Sequence, residues 1–256
     1  MLLGCVYLLT HSWMYHSVDE MSVVSAAKTV LAGDGWRVNQ MEWEQSWRKA
    51  QAMPGLDGNL YLNKRGLAVA ALIVPWLAAG GLVKSVGAVQ LALLVGPLVT
   101  ALTGVVLYRA ARRLGFGVGA AVLAVLAWGL GTLAWPYART VFTEPTAALG
   151  LSLALYGAVP FRRASGGAAM RALLVAGCGL ALLTLAKQAN AVVVLPFVAY
   201  LAYVAFAERR VELTAHRLQF APRVAEAFPR RPSAAAHARP DRAADRIHRA
   251  LHRLRI

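Results

Sequence analysis

A chain of 256 residues that is 58% hydrophobic, only 15% charged and still formally +15 at pH 7 matches neither a soluble domain nor a disordered segment. Residues 88–107, 114–135 and 191–207 carry no Asp or Glu, and each block approaches the ~20 apolar residues that a helix needs to cross the hydrocarbon core. The composition therefore predicts an all-α fold, a polytopic transmembrane helical bundle spanning residues 1–207, followed by an Arg-rich tail over 208–256.

The first apolar block, residues 1–16, is predicted as a short span that either frays early or begins upstream. It has no basic n-region and no small-residue cleavage pattern, so it is not read as a signal peptide. Cys5 and Cys178 both lie in apolar blocks, which excludes a disulfide scaffold. Residues 17–65 form a long, Trp-rich hydrophilic loop of the kind that carries function.

At the head of that loop Ser17 and Glu20 have capping-box spacing. Val18, Met21, Val24, Ala27 and Leu31 then recur at helical spacing until Gly33. This predicts an amphipathic juxtamembrane helix over 18–32. Asp19 and Glu20 either favour the positive end of the helix dipole or, as adjacent carboxylates at the membrane boundary, act as a general base or a divalent-metal ligand. Further along, Asp57 to Gly66 ends in Lys64 and Arg65. These two cations either snorkel at the interface or pair with a phosphate.

Residues 66–83 contain Pro75 and the pair Gly80–Gly81, which weaken a helix. If this stretch does not cross, Arg109, Arg112, Arg113, Arg162, Arg163 and Arg171 share one side against Arg139 and Lys187. With the N-terminus cytoplasmic, that is the direction the positive-inside rule demands. The stretch is therefore read as re-entrant or interfacial, with spans near 1–16, 88–107, 114–135, 146–161, 170–186 and 191–207. Trp13, Trp36, Trp43, Trp76, Trp135 and Tyr137 then fall at or outside the external interface, where amphipathic rings prefer to sit.

A third constellation is Tyr137-Ala138-Arg139-Thr140-Val141-Phe142-Thr143-Glu144-Pro145. A carboxylate within or near the bilayer is costly unless paired, and such acids are functional candidates. Arg139 is the expected partner of Glu144, as a structural or a site pair. Lys187, with Asn190 close by, is an anchor or a ligand at the end of the fifth span.

In their order, DEMSVVSAAKTVLAGDG, DGNLYLNKRGLAVAALIVPW and YARTVFTEPTAALGL resemble the GT-C integral-membrane glycosyltransferases. The nearest group is the bacterial relatives of dolichyl-phosphate-mannose protein mannosyltransferases, and the resemblance covers about residues 5–207. It implies a polyprenyl-phosphate-sugar-dependent hexosyl- or mannosyltransferase of the bacterial inner membrane, acting on an acceptor at the external face. It carries the catalytic role to Asp19, with Glu20 beside it, and the lipid phosphate to Lys64. Arg65, Arg139 and Lys187 are the further cations expected near that phosphate, and Asp19 with Glu20 could hold a divalent cation if other oxygens complete the shell.

Such proteins continue through more spans, whereas residues 208–256 hold twelve Arg, no Lys and four His. The tail is read as a disordered basic segment on anionic lipid, as a nucleic-acid-binding segment, or as the product of a frame shift. The frame shift is preferred, and nucleic acid is the weakest option because no aromatic residues interleave the arginines. Under that reading the chain is an incomplete copy of the enzyme. The alternative to transfer chemistry is a non-catalytic truncated membrane protein or a transporter-like bundle.

Overall fold

The computed structural model describes residues 1–46, 52–62, 67–83, 86–161 and 164–206, the side chains of 44–46 excepted. Lys64, Arg65, Arg162, Arg163 and the tail 208–256 lie outside the described residues.

The first helix, α1, covers only Leu2–Leu9, about 12 Å at 1.5 Å per residue. The expected span over 1–16 is thus corrected to a helix less than half the thickness of a hydrocarbon core. Thr10 ends it by turning its hydroxyl back onto the Val6 carbonyl at 2.8 Å. The His11 ring then accepts the Trp13 backbone N–H at 2.9 Å, and Trp13 adopts φ 60, so the chain leaves the helical path. Tyr7 fixes α1 to its neighbours by donating to the Gly129 carbonyl at 2.9 Å.

Helix α2, Val18–Ala32, has the expected ends. The Ser17 hydroxyl accepts the Glu20 N–H, the Glu20 carboxylate accepts the Ser17 N–H at 3.1 Å, and Gly33 closes the helix at φ 88. Its buried face matches the expected stripe in part, at Val24 and Ala27, with Val18 packed against the same core. Val23, Val24, Ala26 and Ala27 turn inward with Glu20, while Met21 and Leu31 are exposed. Burying Glu20 selects the positions three, four and seven residues on from it, because those share its side of a helix.

After α2 the chain forms a 3-10 stretch, Asn39–Ser46, and then an antiparallel hairpin of β1 (Ala52–Pro54) and β2 (Leu60–Leu62). This is a departure from the all-α expectation, although the fold is mostly helical. The Asp57-Gly58 pair makes the turn: Gly58 takes φ 76, and the Asp57 carboxylate accepts from Asn59 Nδ2 at 2.7 Å and the Tyr61 hydroxyl at 2.9 Å. Asn39 straps the hairpin to the start of the 3-10 stretch by accepting the Leu60 N–H at 2.8 Å and donating to Asn59 at 2.8 Å.

Helix α3, Leu67–Leu82, runs unbroken through Pro75, whose ring lies on the exposed side. Its sixteen residues make about 24 Å, short of a ~30 Å core. The chain continues through α4 (Ala88–Leu93), α5 (Val95–Arg113), α6 (Val118–Gly131), α7 (Ala134–Ala138), α8 (Thr143–Phe161) and α9 (Gly166–Ala186). The last described helix, α10, is Gln188–Phe206. Among the described residues, three runs are long and apolar enough to cross a membrane: Ala88–Arg113, Gly166–Ala186 and Gln188–Phe206. Relative to the expected spans, α4 and α5 continue to Arg113, so Arg109, Arg112 and Arg113 ride on the helix end. Helix α6 is trimmed to 14 residues, and α8 begins at Thr143, which puts Glu144 in its first turn.

Packing falls into two kinds. Helices α2, α3 and α4 share a core of branched side chains with Val38, Met41, Val99 and Val141. Helices α8 and α9 instead meet backbone to backbone. A Cβ at Gly150 would lie 2.6 Å from Leu183 N, one at Gly157 2.5 Å from Ala176 N, and one at Gly179 would overlap Ala154 N. Close small-residue seams of this kind are how helices associate where lipid surrounds them. Leu151, Leu155, Met170, Leu174 and Leu185 of the same pair point outward.

The seams also orient the bundle. Gly96 of α5 lies under the carbonyls of Ala138 and Thr140, and Arg113 at its other end stacks on Tyr156 at 3.6 Å, so α5 and α8 are parallel. Helix α9 returns antiparallel, and its end carries Lys187. One end of the bundle therefore gathers residues 10–20, 138–144 and 187, and the other gathers Arg109, Arg112, Arg113 and Arg171.

Gly179→Leu is expected to destabilise the detergent-solubilised protein by more than the ~1–3 kcal/mol of ordinary overpacking, because backbone has to move. Gly177→Leu, with nothing within 4 Å of the added carbon, is the control, and thermal unfolding of both variants checks it. In the hairpin, the hydrogen bonds from Asn59 and Tyr61 hold the Asp57 carboxyl below its usual value of 3.8. The folded pKa being depressed, the stabilisation is complete above the unfolded value and is lost as pH falls through the folded one. The Asn59 amide is therefore expected to stay protected from hydrogen exchange at pH 5 and to lose protection only below pH ~3.8.

Candidate functional site

The polar residues of the bundle's acidic end are organised by one carboxylate. Glu20 has no exposed surface. Its Oε2 accepts the backbone N–H groups of His16 at 2.5 Å and Ser17 at 3.1 Å, and its Oε1 reaches across to accept the Val141 N–H at 3.1 Å. Three donors and a helix N-terminus compensate the buried charge. Glu20 is thus a structural tie, and its oxygens are committed to the protein's own backbone rather than to a metal or a substrate proton. Among the described residues no group of three His, Cys, Asp or Glu is placed to hold a metal ion.

Asp19 precedes Glu20 in the first turn of α2 and is partly exposed. The Glu20–Val141 bond sets this turn beside the segment holding Arg139. Arg139 caps the end of α7, and its Nε is buried with no hydrogen-bond partner among the described residues.

Glu144 does not pair with Arg139. Its Oε1 faces Lys187 Nζ at 3.7 Å, and its other oxygen accepts the Thr143 hydroxyl at 3.3 Å. The reason is local: Arg139 ends one helix and Glu144 opens the next, with non-helical residues 140–142 between them, whereas the α8–α9 seam draws the end of α9 up to the start of α8. Asn190, expected beside Lys187, caps α9 by donating to the Leu183 carbonyl at 3.1 Å.

Behind Glu144 lies a cavity of about 310 Å³ lined by Thr100, Thr103, Trp128, Thr132, Tyr137 and Glu144 among others. Thr100, Thr103 and Thr132 spend their hydroxyl hydrogens on carbonyls of their own helices. The cavity therefore offers aromatic and methyl surface with the Glu144 carboxylate as its charged group.

The structure thus brings together Asp19, Glu20 and the Arg139 segment, and separately Glu144 with Lys187, at the same end. Lys64 and Arg65 lie outside the described residues. Sequence reasoning passed over His11, Ser12 and His16, because treating 1–16 as a span hides them. The crowding of polar residues in HSWMYHSVDE was the available signal.

Glu20→Ala is expected to cost about 2–4 kcal/mol, since it strands the buried Val141 N–H along with two helix-end donors. Hydrogen exchange at Val141 is expected to rise in this variant even where the rest of the bundle remains protected.

No family model, curated protein or solved structure matches the chain.

Proposed function

We propose that the chain is a membrane-embedded glycosyltransferase domain of GT-C type. It moves a hexose, on the resemblance a mannose, from a polyprenyl-phosphate donor to an acceptor at the external face of a bacterial inner membrane, with the N-terminus cytoplasmic. The observation that carries this reading is the Glu20–Val141 hydrogen bond. It joins the acidic start of α2 to the Tyr137–Pro145 run, and these are the two stretches most specific to the resemblance. The arginines at the opposite end of the bundle support the external placement of the joined end, by the positive-inside rule.

In this mechanism the sugar's anomeric carbon loses its bond to the donor phosphate oxygen and gains one to the acceptor oxygen. Asp19 takes the acceptor's proton. Arg139, with Lys64 and Arg65, stabilises the charge that develops on the departing lipid phosphate. Glu20 holds Asp19 and Arg139 in register without touching substrate.

The test is donor-dependent transfer from polyprenyl-phosphate mannose by the full chain in liposomes. Asp19→Asn is expected to lower the rate about 10²–10⁴-fold with membrane insertion unchanged. Full activity in the variant, or no donor-dependent transfer by the unaltered protein, overturns the reading. The latter result favours a non-catalytic bundle in which Glu144 and Lys187 only pin helices.

A further inference from the structure

Between α1 and α2 the chain places three chemically complementary side chains in line, four residues apart. The Ser12 hydroxyl oxygen lies 2.8 Å from His16 Nε2. The other ring nitrogen, Nδ1, faces Glu20 Oε2 at 3.7 Å. Glu20 is fully buried, His16 is about one-third exposed, and Ser12 is partly exposed. A buried carboxylate, an imidazole and a hydroxyl open to the outside, met through the appropriate ring nitrogens, form the series that activates a serine.

Two further features belong with it. Glu20 is immobilised by the N–H groups of His16, Ser17 and Val141, so it can orient the ring without moving. A negative charge facing Nδ1 favours the tautomer with its hydrogen there, which leaves Nε2 as the base toward Ser12. Next to Ser12 the backbone is held at φ 60 on Trp13, a conformation that costs a bulky residue free energy and concentrates at functional turns. Trp13 and Met14 are exposed on that turn, an apolar flank for the chain of a lipid-like substrate.

We infer that Ser12, His16 and Glu20 form a nucleophilic serine site that cleaves carboxylic esters of amphiphilic molecules at the membrane surface. Ser12 Oγ bonds to the ester carbonyl carbon while His16 Nε2 takes the hydroxyl proton. The alcohol leaves with that proton, and an acyl-serine remains. Water then attacks the acyl carbon and gives a proton to His16 Nε2; the bond from that carbon to Ser12 Oγ breaks, His16 returns the proton to Oγ, and the carboxylic acid leaves. Glu20 stabilises the imidazolium in both halves and is a positioning residue. At 3.7 Å, Nδ1 and Glu20 Oε2 are beyond hydrogen-bond length, so the partly exposed ring has to turn toward the fixed carboxylate for the two to bond. This activity does not depend on sugar transfer: it uses Ser12 and His16, to which that chemistry assigns no role.

The experiment uses the full chain in detergent with a fluorophosphonate probe and, in parallel, p-nitrophenyl butyrate. Labelling is expected at Ser12 by peptide mass. It should vanish in Ser12→Ala and fall about 100-fold in His16→Gln, with thermal unfolding of both variants unchanged because neither side chain is buried. Ester hydrolysis should fall in step. No labelling of the unaltered protein, labelling at another residue, or labelling that survives Ser12→Ala overturns the proposal, whatever the sugar-transfer assay returns.

Discussion

A single buried carboxylate fixes the start of α2 against residues 138–141 at the acidic end of this bundle. Glu20 would be strongly destabilising if it were unpaired, since an uncompensated charge in a low-dielectric interior costs several kcal/mol. The chain compensates it with backbone N–H groups from two distant segments, and in doing so fixes where those segments lie. The start of α2 cannot shift without stranding the Val141 N–H, and residues 138–141 cannot withdraw without exposing the Glu20 charge to an apolar core. Gly96 acts from below: with no Cβ it admits the carbonyls of Ala138 and Thr140, so the segment is held between a carboxylate and a bare helix surface.

Around this tie the molecule uses two packing regimes, and each matches its surroundings. The α2–α3–α4 core is built as in a water-soluble domain, from Val, Ile, Leu and Met interlocking beneath a polar loop strapped by Asn39 and Asn59. A helix pair set in lipid would gain little from burying leucine, because lipid is as apolar as leucine, and the α8–α9 pair has the composition suited to that. It places Gly150, Gly157 and Gly179 in the seam and sends the large side chains outward. The seam also has a chemical consequence. By carrying the end of α9 to the start of α8, it delivers Lys187 to Glu144 and closes the cavity's charged rim with a pair whose partners are both half-exposed.

What could be read in the sequence followed from how local the determining interactions are. Helix α2 was legible at both ends, because Ser17, Glu20 and Gly33 act on backbone within one turn. Helices α9 and α10 were legible because uniform apolarity needs no partner to be recognised. The span over 1–16 was misread because an apolar average hides a break made by individual groups, the Thr10 hydroxyl and the His11 ring. The hairpin was missed although Asp57-Gly58 is a turn signal; its strands have three residues each, too few to show alternation. The partner of Glu144 was misassigned because sequence proximity favoured Arg139, while Lys187 is brought to it by the packing of α8 on α9 at Gly150, Gly157 and Gly179, a contact between separate helices.

The acidic pair itself shows why neighbouring residues need not share a role. Successive positions on an α-helix are turned by about 100°, so two adjacent carboxylates at its start cannot face the same way. If Glu20 points into the core, Asp19 must point away from it, toward the partly exposed rim. The pair therefore works as an anchor and a presented group, not as a two-carboxylate chelate. The same rotation explains why Met21 and Leu31 lie outside: with Glu20 committed inward, the buried face is the one it shares with Val23, Val24 and Ala27. Four residues before Glu20, where the chain is no longer helical, His16 returns to the same side because its own N–H is bound by that carboxylate. This is how a capping interaction, whose first effect is to start a helix, also assembles side chains that could do chemistry.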